Sequence, residues 1–342
     1  MANVTAAPVT PVGSPYNVTP SYSGTFIPTL WSAKLNAKFY AASTFADICN
    51  KDWEGDVNNI GDKVIINNIP DIAIRDYVIG SNLQYDVPRG STSELALDRG
   101  KYFGFSVNDV LEYQSKPDLM DMFTNDASEQ MRTVMDATCL YRTLLSAPTG
   151  SGEDGVVAAN RGATAGRRSQ GYNLGTDTAP VVLTGANVLQ TILNMAAVMD
   201  EQNIPESGRW LLLDPLTRTL LMQSNLAQAQ FMGDDKSMIR NGLIGSIDRF
   251  KVYVTNQLPF KAASQAFWTS GDGSETSIAG ASHGVRVRLL AAGHTSGITF
   301  ASQITKTETL RNPTDFGDLI RGMQIFGHRV VKGTGVTTTI VA

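Results

Sequence analysis

Pro117-Asp-Leu-Met-Asp-Met-Phe-Thr-Asn-Asp-Ala-Ser-Glu-Gln-Met-Arg-Thr-Val-Met-Asp-Ala-Thr-Cys-Leu-Tyr-Arg-Thr-Leu-Leu-Ser146 is the most strongly periodic stretch of the chain. Leu119, Phe123, Ala127, Met131, Val134, Thr138, Tyr141 and Leu145 recur every three or four residues, which predicts a helix with one nearly unbroken apolar face. Asp118, Asp121, Asp126, Glu129, Arg132, Asp136 and Arg142 fall mostly off that face and read as solvated. Pro117 suits a first helical turn, and the early acids suit the positive end of the helix dipole. About thirty residues at 1.5 Å each span about 45 Å, against an average helix of about 11–12 residues. Such a helix acts as a spine for whatever packs on it.

Upstream the text changes character. Residues 1–26 carry Pro8, Pro11, Pro15 and Pro20 among small polar residues, so they read as an extended arm with no core of its own. Residues 27–50 read as a short amphipathic helix through Leu30, Trp31, Leu35 and Phe39. From 52 to 107 the period is that of strands: Asp62-Lys-Val-Ile-Ile-Asn-Asn-Ile, Ile72-Ala-Ile-Arg-Asp-Tyr, Glu94-Leu-Ala-Leu-Asp and Lys101-Tyr-Phe-Gly-Phe-Ser-Val, with turns at Gly80-Ser-Asn and Pro88-Arg-Gly. This block has little apolar mass on either face, and a long two-stranded hairpin is marginal alone in water. It needs another surface to lie on.

Downstream, residues 149–180 are rich in Gly, Ser, Thr and Ala and read as a long surface loop. A second domain occupies 181–296. It has a helix over 187–202 with Val188, Ile192, Met195, Ala196 and Met199 on one face, and a buried strand Arg209-Trp-Leu-Leu-Leu. Asp214-Pro215 then offers an N-cap and an N1 proline to a further helix. Phe250-Lys-Val-Tyr-Val-Thr, Ala266-Phe-Trp and Val285-Arg-Val-Arg-Leu are strand candidates. The alternating text after Gly297 has no helix of its own, and its strands are expected to return beneath the long helix. The first domain would then be discontinuous in sequence.

Composition narrows the function. The 342 residues are 42% hydrophobic but only 18% charged, with 28 Lys and Arg against 32 Asp and Glu. That balance supplies no concentrated positive field, so DNA can lie nearby without being gripped or read. No apolar run is long enough to span a membrane, and the N-terminus lacks the pattern of a secretory signal. Cys49 and Cys139 are too few for a disulfide framework or a zinc site, and their apolar neighbours mark buried thiols. His283, His294 and His328 stand apart from one another and from the cysteines. Gly150-Ser-Gly-Glu-Asp-Gly matches a dinucleotide fingerprint in letters only, because it comes after a helix and carries two acids. No nucleophile elbow or Walker motif occurs. The expectation is no catalytic, metal or cofactor site.

Several stretches, taken in order, resemble the HK97-fold major capsid proteins of tailed double-stranded DNA bacteriophages. They are Phe26-Ile-Pro-Thr-Leu-Trp-Ser with Asn50-Lys-Asp-Trp-Glu-Gly; Gly61-Asp-Lys-Val-Ile-Ile leading to Arg75-Asp-Tyr; and Asn108-Asp-Val-Leu-Glu-Tyr-Gln-Ser-Lys-Pro-Asp-Leu entering the spine. Gly242-Leu-Ile-Gly-Ser-Ile-Asp-Arg-Phe-Lys-Val-Tyr-Val-Thr-Asn, Phe316-Gly-Asp-Leu-Ile-Arg-Gly and Gly327-His-Arg-Val-Val complete the series. The resemblance implies an α+β chain with an N-terminal arm (1–26), an extended β-hairpin loop (52–107), a peripheral domain (27–51, 108–180 and 297–342) with spine helix 117–146, and an axial domain (181–296). Its arm and hairpin lie across neighbouring subunits.

The function this resemblance implies is structural, not enzymatic. Copies would close into pentamers and hexamers of an icosahedral head around double-stranded DNA. They would be assembled in the host cytoplasm and end in the virion, with a portal protein as partner. Residues 1–24 are not a long helical segment, which implies a separate scaffolding protein. Arg75, Asp76, Tyr77 and Arg89 in the hairpin, and the basic pair Arg167-Arg168, are the candidate contacts between subunits. The resemblance supplies no matching cross-link motif for Lys63 or Lys101. Two other readings share parts of this pattern: an encapsulin-like nanocompartment shell, and a hydrolase with a dispersed active site, which would be a small soluble species with a deep polar pocket.

Overall fold

The computed structural model describes residues 43–52, 63–67, 69–70, 72–77, 79–80, 82, 85–87, 90, 92–108, 119–145, 155–224, 246–276, 278–282, 284–313 and 316–342. The arm over 1–26, most of the helix expected over 27–50, Arg89, His283, Pro117 and the start of the glycine motif at Gly150 lie outside them.

A single helical turn, α1 (Phe45–Ile48), precedes the hairpin strands β1 (Lys63–Asn67) and β2 (Thr92–Ala96). These pair antiparallel from Lys63↔Ala96 to Asn67↔Thr92. One face of this base has a partner: Ile66, Leu95 and Leu97 are buried with Ala301, Ile325 and Val331. Among the described residues this pairing extends no further than Asn67↔Thr92. Residues 72–77, expected as a continuing strand, carry no strand pairing among the described residues.

Strand β3 (Arg99–Asn108) departs from expectation. It does not return along the hairpin. The reason is its alternating apolar face, which meets the spine helix α2 (Leu119–Leu145): the Phe105 ring sits edge-on to Phe123 at 5.8 Å and stacks beside Phe103 at 6.3 Å. α2 itself is 27 residues long. Its first half is amphipathic and half-exposed, whereas Met135 to Tyr141 are all buried.

Past the spine, residues 155–180 were expected on the surface and are instead packed. Val156, Asn160, Ala165 and Leu174 are buried. Asn160 donates through Nδ2 to the carbonyls of Thr334 (2.6 Å) and Val336 (2.9 Å) and accepts from Gln202 Nε2 (2.9 Å). Small residues allow this close approach. At Gly175, with φ of +76°, a Cβ would fall on the Ile340 carbonyl oxygen.

The second half of the chain contributes α3 (Val188–Glu201), β4 (Arg209–Leu213), α4 (Pro215–Met222), β5 (Ser246–Ile247), β6 (Phe250–Val254), β7 (Phe260–Lys261), β8 (Phe267–Trp268), β9 (Ile278–Ala279) and β10 (Val287–His294). The apolar face read for α3 is the buried one. Asp214 caps α4 as read, its carboxylate accepting from the Thr217 N–H at 3.1 Å. β11 (Ile298–Arg311), β12 (Gly317–Val330) and β13 (Val336–Val341) complete the chain. β12 lies between β11 and β3, running from Gly317↔Asn108 to Phe326↔Arg99. So β11 and β12 return to the strand that packs on the spine. β11 is one strand with an irregularity between Ile304 and Lys306.

The second sheet runs β13-β10-β4-β6-β5, with β7 also on β10. β13 therefore joins the strands of 209–294 and not those of 298–330, where its place in the chain had put it. Its run of Val and Thr presents a buried face that the neighbouring β10 (Leu289, Leu290, Ala291, Ala292) completes. Parallel β4 and β6, with β10 antiparallel to β4, leave the carboxyl ends of β4 and β6 beside the start of β10.

Candidate assembly surfaces

Among the described residues, the hairpin tip holds the most exposed of the large apolar side chains. Ile69, Ile74, Ile79 and Tyr85 are 95%, 94%, 90% and 85% exposed, and Tyr77 and Val87 are also exposed. Monomeric proteins seldom present so much apolar surface in one place without a partner for it. Arg75, a candidate contact, is turned across the tip to Asp86 at 2.7 Å. Asp76 and Tyr77 beside it are exposed. Gly327 of β12 seats the hairpin base, since a Cβ there would fall on the Ala96 carbonyl oxygen.

Arg167 and Arg168, the other candidate pair, are far from the hairpin in sequence and stand on a loop pinned from beneath. The Glu201 carboxylate at the end of α3 accepts from the N–H of Arg168 (2.8 Å) and of Ser169 (3.2 Å). These hydrogen bonds hold the Glu201 carboxyl below its ordinary range. Both arginine side chains are left exposed.

Three inward contacts tie distant parts of the chain together, and face-by-face reading of the sequence missed them. Asp136, read as solvated, is 4% exposed. It accepts from Ser43 Oγ (3.1 Å) and from the N–H groups of Thr44 (3.2 Å) and Phe45 (2.7 Å). A spine carboxylate thus caps α1 from outside and fixes where residues 43–48 join the spine. Burial pushes its pKa up against those hydrogen bonds. At the far end of α2, the Tyr141 hydroxyl donates to the Trp268 carbonyl (3.2 Å) and accepts from the Ile278 N–H (2.9 Å). Arg142 donates twice to Glu275 (3.0 and 2.7 Å). Lys261, fully buried, reaches Asp177 at 2.5 Å and the Ala281 carbonyl at 2.9 Å, over the Trp268 ring at 4.9 Å. A signal did exist: between Thr133 and Leu145 the only charges are Asp136 and Arg142, as expected where a helix runs through a core.

Among the described residues no group of three His, Cys, Asp or Glu could hold a metal ion, and no helix is long and apolar enough to cross a membrane. His294 is engaged by Ser296 Oγ (2.7 Å) and the Ser207 carbonyl (2.8 Å). His328 lies edge-on to Phe45, and burial, with Arg99 and Arg142 nearby, takes its pKa down to about 3. Cys49 and Cys139 are buried free thiols, each pushed up in pKa by burial.

Residues 91–338 match the family model described as phage capsid protein. No curated protein is significantly similar in sequence. Among solved structures, a chain of Mycobacterium phage Che8 is 22% identical with a TM-score of 0.66, covering 92% of this chain and 97% of its own. A chain from the capsid of the cyanophage P-SCSP1u is 16% identical with a TM-score of 0.66 (96% and 99% covered). One from the capsid of an empty GTA particle is 12% identical with a TM-score of 0.60 (94% and 97%). With a family match over well more than half its length, and a fold shared with those neighbours along nearly all of it, this chain belongs to the phage capsid protein family and is a major capsid protein of HK97-like fold.

Proposed function

We propose that copies of this protein close into pentamers and hexamers, which form the icosahedral head of a tailed phage around double-stranded DNA. Heterologous head-to-tail contacts generate such closed rings. The observation that carries this reading is the hairpin tip, whose isoleucines and tyrosines are nearly fully exposed. A sister subunit beneath the tip would supply both the apolar surface and the strand pairing that residues 72–77 lack among the described residues. Low positive charge fits a shell that encloses DNA without reading it. A separate scaffolding protein and a portal protein complete the assembly, which takes place in the host cytoplasm. The arm and hairpin are the parts shared between neighbours, and the spine with its three-stranded sheet forms the peripheral domain beside the axial one. Arg75, Asp76, Tyr77, Arg89, Arg167 and Arg168 serve at subunit contacts. The chain performs no catalysis.

The test removes the tip alone. A deletion over 75–99 would take out β2 and the buried Leu95 and Leu97, so residues 69–90 are replaced by an Asn-Gly turn, which closes a two-stranded ladder well. The expected product is a soluble subunit with an unchanged melting temperature that forms no shells by electron microscopy. Shells of normal yield and size from this variant would refute the hairpin's role.

A further inference from the structure

The second sheet carries two complementary features at opposite ends of the same strands. At the carboxyl ends of β4 and β6 lies a cleft of about 520 Å³, lined by Asp214, Leu216, Thr255, Phe260, Arg286 and Arg288. Inside it Arg288 is already neutralised by Asp214 at 2.7 Å. Arg286 is not. It is exposed, rests 4.1 Å over the Phe260 ring, and has no carboxylate partner among the described residues. Leu216 and Val285 beside it are 53% and 55% exposed. A guanidinium held on an aromatic face loses little freedom on binding.

At the other end, the tight turn Asp248-Arg249 joins β5 to β6, with Ile247 opposite Phe250. Asp248 has φ of +51°, and the antiparallel pair holds it in place. Arg249 turns away to Glu206 (3.0 Å) and Asp200 (3.5 Å). Asp248 is left exposed, with no cationic partner among the described residues. Because β6 starts opposite Arg209 and ends opposite Leu213, turn and cleft are separated along the strands by about 15 Å, at about 3.3 Å per residue.

We propose that the Asp248 turn of one subunit docks in the Arg286 cleft of the next around each capsomer. The occupant is a second copy of this chain. Two different patches at opposite ends of one domain make a heterologous contact, the kind that closes into a ring, whereas one patch meeting itself would stop at a dimer. A single unpaired acid on a rigid turn matches a single unpaired, pre-oriented arginine with an apolar rim, so both charges leave water already paired. The contact rests on the shell reading and specifies where the subunits of a ring touch.

A double variant Asp248→Cys with Arg286→Cys tests it, oxidised in assembled particles and run on a non-reducing gel. The expected result is a covalent ladder ending at five and six chains. The single variants give no ladder, as does the parent with its buried thiols. In parallel, Asp248→Arg and Arg286→Glu each reduce particle yield by at least about tenfold, the effect of about 1.4 kcal/mol lost from a contact; combining them restores it. Each variant is compared at an unchanged melting temperature of the free subunit. Particles without a ladder, a ladder that ends at dimers, or single reversals that assemble at parental yield would overturn the contact. If Arg286→Glu blocks assembly yet no ladder forms, the occupant is another component and the contact is again wrong. A parent that never forms particles condemns the shell reading itself, which separates the two failures.

Discussion

Replacing Asp177 by alanine is expected to destabilise the subunit by about 3–5 kcal/mol, the range for removing one partner of a buried ion pair. Lys261 is fully buried in β7, and its ammonium meets the Asp177 carboxylate at 2.5 Å, the Ala281 carbonyl at 2.9 Å and the Trp268 ring at 4.9 Å. Without the carboxylate, the carbonyl and the ring remain, and neither cancels a charge. Asp177 also accepts from the Ala281 N–H, which would lose its partner. The control is Lys261→Met together with Asp177→Ala. It removes both charges while keeping volume and should recover much of the loss. Denaturant midpoints at constant slope measure both. A loss under about 1 kcal/mol for Asp177→Ala would mean that water reaches the ammonium.

Asp136→Ala is expected to lower stability by about 3 kcal/mol, because the N–H groups of Thr44 and Phe45 and the Ser43 hydroxyl lose a buried acceptor. The sign of its pH dependence is fixed by burial. The folded carboxyl titrates above its ordinary 3.8, so between those two values the folded state holds a proton that the unfolded chain releases. Stability from this group therefore rises as pH falls from neutrality through the raised value, and levels off below the ordinary one. The gap between parent and Asp136→Ala should widen on mild acidification. Thermal melts at pH 7 and pH 5 read it, and a gap that narrows would contradict the burial argument. Asp136→Asn keeps one acceptor and loses less. Since Asp136 fixes the junction of residues 43–48 with the spine, losing it should also impair shell formation in subunits that still fold.

Much of this was legible in the sequence where the signal is local. The spine periodicity, the face of α3 and the Asp214-Pro215 cap depend on residues within a turn or two of each other, and all three appear as read. The pairings of β3 with β12 and of β13 with β10 join residues some two hundred and some fifty positions apart, and strand text names no partner. The packing of 155–180 was hidden for a related reason, since small residues suit both a solvated loop and a tightly seated one. Asp136 was misjudged because a face argument assumes one exposed side, whereas the second half of α2 is enclosed all round. At the candidate surfaces, the hairpin read as poor in apolar mass, whereas its tip exposes Ile69, Ile74, Ile79 and Tyr85. That Arg75 is occupied by Asp86, or that Glu201 holds the Arg167-Arg168 loop from 33 residues away, was not legible.

The proposed assembly rests on completion of the hairpin by another molecule of the same chain, and an electron cryomicroscopy reconstruction of assembled particles tests it. The prediction is that Ile69, Ile74, Ile79 and Tyr85 are buried against an adjacent subunit of the shell. Density with the tip folded onto its own spine, or still bare in a closed shell, would contradict it.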